Sequence, residues 1–129
     1  MIQTKTTEGI TISVVPNYEF ETSRPDKKFF AFSYTVVIEN NSSSSVKLIS
    51  RFWNIKDANL NERVVEGLGV IGEQPTISPG ESHHYSSWCP LSTPLGKMSG
   101  YYIMEKIDGQ TTFKAYIPMF QLAADFLSN

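Results

Sequence analysis

From Phe29 to Glu39 the chain alternates with a period of two, and this pattern constrains the fold more than any other feature. Phe30, Phe32, Tyr34, Val36 and Ile38 are large and apolar, while Ser33, Thr35 and Glu39 fall between them. Side chains on a strand point to opposite faces in turn, so this spacing predicts a strand with one buried face and one partly wet face. Asn40-Asn41-Ser42-Ser43-Ser44-Ser45 then breaks the pattern with turn-prone residues. A second run, Val46 to Ile55, follows directly, and the short link predicts an antiparallel hairpin between the two.

Shorter strands are expected elsewhere. Ile10–Val15 is a β-branched run that Pro16 should stop, and Arg63–Glu66 carries paired valines. Ser82–Ser87 follows the turn residues Pro79-Gly80. Gly100–Ile107 and Thr111–Ile117 flank Asp108-Gly109, which predicts a hairpin with a two-residue type I′ turn, and Pro118 should limit the last strand. Phe120–Leu127 reads as one or two helical turns. Seven or so strands with frequent turn signals point to an all-β antiparallel sandwich or small barrel. At 129 residues, without a linker or a repeat, the expectation is a single domain over residues 1–129.

Composition excludes more than it assigns. Thirteen acids against eleven bases leave a formal charge of −2, which offers no electrostatic footprint for nucleic acid or an anionic membrane. One cysteine cannot build a disulfide framework or a paired-cysteine zinc site. No apolar run reaches the ~18 residues of a membrane span, and Met1–Gly9 is too polar for a signal peptide. The expectation is a cytoplasmic protein, monomeric or weakly dimeric, with no cofactor or metal.

Gly67-Leu68-Gly69-Val70-Ile71-Gly72 matches the G-x-G-x-x-G pattern of dinucleotide sites. That fingerprint needs a helix at its last glycine and an acidic residue ~20 positions on. Here Pro75 and Pro79-Gly80 forbid the helix, and Trp88-Cys89-Pro90 stands in place of the acid. A bulged or tightly turned loop is the expected use of these glycines, with weak anion binding by the backbone as the alternative. His83 and Cys89 share a strand face but would lie roughly 20 Å apart, far beyond dyad contact, and His84 points the other way. Glu62, Glu66 and Glu73 offer at most weak ligation of a hard cation. Strict alternation along Val46–Ile55 places Arg51 and Trp53 with Lys47, Ile49 and Ile55, and Phe52 with Val46 and Leu48. Trp53 is either a core anchor or part of a surface hot spot with Arg51, and Trp88 is expected to be exposed.

These residues also resemble a known family. Leu48-Ile49-Ser50-Arg51-Phe52-Trp53, Asp57-Ala58, Gly67 through Pro75 and Ser78-Pro79-Gly80-Glu81 resemble the signature of ApaG proteins. Cys89-Pro90-Leu91-Ser92-Thr93-Pro94, Gly96-x-Met98-x-Gly100-x-Tyr102-x-Met104 and Ile117-Pro118-x-Phe120 continue the match, so it runs from about Thr7 to Leu122. Phe52 stands where the family usually has histidine, and Trp88 where it usually has glycine. The resemblance implies a fibronectin type III or immunoglobulin-like β-sandwich of about seven to nine strands. It also implies an indirect link to cobalt resistance and magnesium efflux. Related eukaryotic domains, attached to F-box proteins and a polymerase-interacting protein, resemble partner-binding modules. The expected function is therefore a non-enzymatic module that binds a protein partner or a small phosphate-containing ligand. Its candidate contact residues are Arg51, Trp53, Gly67, Gly69, Gly72, Glu73, Gln74 and Pro75, the alternative being pyrophosphate, nucleotide or divalent-cation binding through the glycine loop.

Overall fold

A computed structural model describes residues 2–124. Its nine strands are β1 (Gln3–Thr7), β2 (Ile10–Tyr18), β3 (Phe30–Asn40), β4 (Val46–Asp57), β5 (Glu62–Leu68), β6 (Thr76–Ile77), β7 (Ser82–Leu91), β8 (Leu95–Lys106) and β9 (Thr111–Ala123). The first sheet has the order β1-β2-β3-β7 and the second β5-β4-β8-β9, with β6 paired to the start of β4. All pairings are antiparallel. The result is a fibronectin type III-like sandwich with one core between its sheets. The alternating residues Phe30, Phe32, Tyr34, Val36 and Ile38 are all buried in that core.

The expected hairpin between β3 and β4 does not form. The two strands belong to different sheets, and the Asn-Ser segment is an arch that crosses between them. Asn40 decides this. Fully buried, it donates from Nδ2 to the carbonyls of Ser44 and Ile77 and accepts at Oδ1 from the Ser42 N–H and hydroxyl. Those bonds tie the arch to the neighbouring β6 segment instead of to a tight turn.

Two bulges account for most other departures from strict alternation. Between Leu48 and Ser50 the partner strand advances by one residue, so Ile49 is extra. Parity therefore flips along β4: Val46 and Leu48 point inward before the bulge, Trp53 and Ile55 after it. The grouping of Trp53 with Lys47 and Ile49 is thereby corrected, and Phe52 faces outward. A second bulge lies in β9, where Pro118 and Met119 oppose Ser99 alone. Pro118, which lacks an N–H, occupies the irregular position and the strand continues to Ala123. The shift turns Phe120 and Leu122 inward, so Phe120–Ala123 is strand and not helix; the rest of the expected helical segment, beyond residue 124, lies outside the described residues.

Pro16 likewise fails to stop β2. β1 covers only Ile10–Val14, so at Pro16 one side of the strand is free and a missing donor costs little. The β8–β9 hairpin is found, but its last pair is Lys106 with Thr111. Four residues make the turn, not two, with Gln110 rather than Gly109 at positive φ.

Candidate functional site

The three glycines of the G-x-G-x-x-G segment do three different jobs. Gly67 pairs with Arg51 across β4–β5, and a Cβ there would meet the Arg51 guanidinium at 2.8 Å. Gly69 has φ +62°, and a Cβ on it would land on the Glu73 carbonyl oxygen. Gly72, at φ +74°, follows Ile71 at φ +48°, and Val70 and Glu73 exchange N–H···O bonds of 2.8 and 3.0 Å on either side. Positive φ at both central residues is the requirement of a type I′ turn, so the last glycine serves a two-residue hairpin.

This loop is stitched to the β4 bulge. The Ile49 carbonyl accepts both the Gly69 N–H at 2.9 Å and the Gln74 Nε2 amide at 2.9 Å, and the Pro75 carbonyl accepts the Leu48 N–H. The N–H groups of Gly69, Val70 and Glu73 are thus all spent inside the protein, which takes three donors away from any backbone cradle for an anion. Val70 plugs the core beneath the turn, while Leu68 and Ile71 are 73% and 62% exposed.

Arg51 and Trp53 occupy the inward side of β4. Trp53 is 2% exposed and packs edge-on against Tyr34, Tyr102 and Phe120. It is a core anchor, and its candidacy as a surface contact is corrected accordingly. Arg51 is half-buried and reaches toward the edge strand β5, with its Nη1 donating at 3.0 Å to the carbonyls of both Leu68 and Gly69. Among the described residues it forms no ion pair, so its geometry is that of a clamp on the chain entering the glycine turn.

Beside Arg51 lies a seam of buried phenols. Tyr85 and Tyr102 share a hydroxyl hydrogen bond of 2.5 Å. Burial pushes the phenols of Tyr34, Tyr85 and Tyr102 above the usual range, and the Arg51 charge opposes this only in part. An acid whose folded pKa is raised contributes stability below its unfolded pKa and loses it as pH climbs. The melting temperature should therefore hold steady to about pH 9.5 and fall beyond about pH 10, where unfolded tyrosines ionise. Thermal melts of a Tyr85→Phe/Tyr102→Phe variant should show a flatter alkaline limb; an unchanged limb would refute the assignment.

The outward side of the second sheet carries an aromatic row that sequence reading missed. Phe52, Tyr101 and Tyr116 are neighbours across β4, β8 and β9. Phe52 stacks on Tyr101 at 4.9 Å with planes 9° apart, and Tyr101 meets Tyr116 at 6.1 Å. Lys114 lies over the Tyr101 ring and Lys5 over Tyr116. A dimple of about 390 Å³ opens where Ser50 is small, walled by Phe52, Leu68, Tyr101 and Ile103. The row stays hidden until the Ile49 bulge is known, because strict alternation groups Phe52 with Val46 and Leu48, which are buried.

The candidate chemical groups are not assembled. His83 and Cys89 sit six residues apart on β7, and His84 faces the other way. Cys89 is buried, which pushes its thiol pKa up, although the Arg63 hydrogen bond opposes the shift. Among the described residues no three of His, Cys, Asp or Glu come together, so Glu62, Glu66 and Glu73 do not converge on a common ion. Trp88 is exposed, as expected, at 58%, and lies within β7 opposite Ser33. No helix among the described residues is long and apolar enough to cross a membrane.

Fold and site together define a fibronectin type III-like β-sandwich with an aromatic sheet face beside a stitched glycine turn. The ApaG domain family model matches residues 20–106. Protein ApaG of Sinorhizobium fredii is 47% identical over 116 residues, covering 90% of this chain and 88% of its own length. Protein ApaG of Methylorubrum populi is 46% identical over 121 residues, covering 94% and 92%. A crystal structure described as an ApaA protein from Bordetella pertussis superposes with a TM-score of 0.87 at 41% identity, over 90% of this chain and 94% of that one. The chain belongs to the ApaG family. The relatives' names specify no enzymatic activity.

Proposed function

We propose that this chain is a non-enzymatic docking module that binds a protein partner through the outer face of its second sheet and the adjoining glycine turn. Phe52, Tyr101 and Tyr116 supply contiguous aromatic area, and Leu68 and Ile71 extend it at the edge. Arg51, Gly67, Gly69, Gly72, Gln74 and Pro75 position the turn, and Glu73 closes it. Any connection to cobalt resistance or magnesium efflux runs through the partner.

The observation that carries this reading is Ile71. A β-branched residue at φ +48° is strained, and position one of a type I′ turn favours asparagine or glycine. Its exposed apolar side chain gains nothing from the core either. A residue disfavoured on both counts marks a site kept for contact rather than for folding. Ile71→Asn should raise stability by about 0.5–1 kcal/mol in thermal melts. The same variant should capture its partner from extracts of the native host several-fold less well; undiminished capture would overturn the role.

A further inference from the structure

At the far end of the β4–β5 hairpin from the glycine turn, a cleft of about 420 Å³ opens between the two sheets. Its walls include Phe29, Ile55, Pro90 and Leu91, and two cations, Lys28 and Arg63, line it. Arg63 is held by its side chain and Lys28 by its backbone. Lys28 caps the Pro25–Lys27 turn with φ +53°, inside a loop that Arg24 and Phe29 close by exchanging N–H···O bonds of 2.8 and 3.0 Å. Arg63 is pinned by Nη2, which donates to the Pro90 carbonyl at 2.7 Å and reaches Cys89 Sγ at 3.4 Å.

The two acids of the cleft, Asp57 and Glu62, are charged but already hydrogen-bonded to neighbouring groups. Asp57 Oδ1 accepts the N–H groups of Asn59 and Asn61, and its Oδ2 accepts the Asn61 amide and the Ser92 hydroxyl. Glu62 accepts from Asn54 and pairs with Lys56. Among the described residues neither Lys28 nor Arg63 forms an ion pair. A pinned guanidinium with free N–H donors, a second cation at the mouth and an apolar wall form a site for an oxyanion, since Asp57 and Glu62 already hold hydrogen-bond donors of their own.

We propose that this cleft binds an organic oxyanion, a carboxylate or phosphate carried on an apolar group. Arg63 supplies its remaining N–H donors to the oxyanion, Lys28 supplies a second charge at the mouth, and Phe29 and Leu91 cover the apolar body. The left-handed backbone of Lys28 fits this role, since glycine would serve the turn better and lysine is held there against its preference.

Amide NMR titrations with phenyl phosphate, phenylacetate, phenol and inorganic phosphate test the proposal. Phenyl phosphate or phenylacetate should shift the amides of Phe29, Arg63 and Ser92 saturably in the low-millimolar range. Phenol and inorganic phosphate should bind about tenfold more weakly, because each lacks half of the recognised chemistry. The tighter of the two organic anions identifies the source, and equal binding identifies a general oxyanion site. Arg63→Met, which keeps the apolar stem, should weaken binding about tenfold. Lys28→Gly should weaken binding while raising the melting temperature, a combination that a merely structural lysine would not give. No saturation up to about 20 mM, phenol binding as well as the anions, or undiminished binding by Arg63→Met would each overturn the proposal.

Discussion

Replacing Gly69 with alanine is expected to cost about 3 kcal/mol or more, whereas the same change at Gly72 should cost about 1 kcal/mol. Both residues have positive φ, so both substitutions add backbone strain. The space around them differs. A Cβ on Gly72 meets nothing within 4 Å, while one on Gly69 lands on the Glu73 carbonyl oxygen and lies 2.8 Å from the carbonyl carbon. Backbone cannot swing aside as a side-chain tip can, so the Val70–Glu73 pair must open. Opening it lifts Val70 from the core, and burying a valine is worth about 1.5–3 kcal/mol by itself. Urea unfolding of the two variants measures the gap. A phosphate-cradle role for the motif predicts instead that both variants fold equally well and lose only ligand; equal unfolding midpoints would contradict the structural account.

The sandwich was legible in the chain because one buried face per strand leaves a period-two trace, as Phe30 to Ile38 show. Breaks in that trace were harder to read. The extra residue at Ile49 and the Pro118–Met119 bulge each reverse which side chains point inward, and only the second carries a local mark, the proline itself. That is why strict alternation leaves Trp53 open between core and surface and groups Phe52 with Val46 and Leu48. The arch after Asn40 escapes sequence reading for a related reason: a short polar link looks like a hairpin turn, but the buried Asn40 amide finds its partner in distant Ile77. At the candidate site, the missing helix argued correctly against a dinucleotide fingerprint. It could not show that Gly67 makes room for Arg51, since only the pairing of β4 with β5 brings those residues together.

The second large effect concerns which sheet face meets a partner. Two outer faces compete. The second sheet offers the row Phe52–Tyr101–Tyr116, flanked by Leu68. The first sheet offers Trp88, the most hot-spot-prone residue type of all, standing opposite Ser33 and beside the Thr35–Ser86 hydroxyl pair. An isolated exposed aromatic among hydroxyls is ordinary surface, whereas a contiguous row marks an interaction site. Affinity should therefore reside in the row, and a probe placed there should be in van der Waals contact with whatever docks.

A photo-crosslinking amino acid such as benzoylphenylalanine replaces Tyr101 in one variant and Trp88 in another, conserving aromatic bulk at both. Irradiation in the native host should give discrete higher-mass adducts from position 101 and none above background from position 88, because only a probe at the interface lies in contact with the docked partner. Adducts from position 88 with none from position 101 would contradict the docking account.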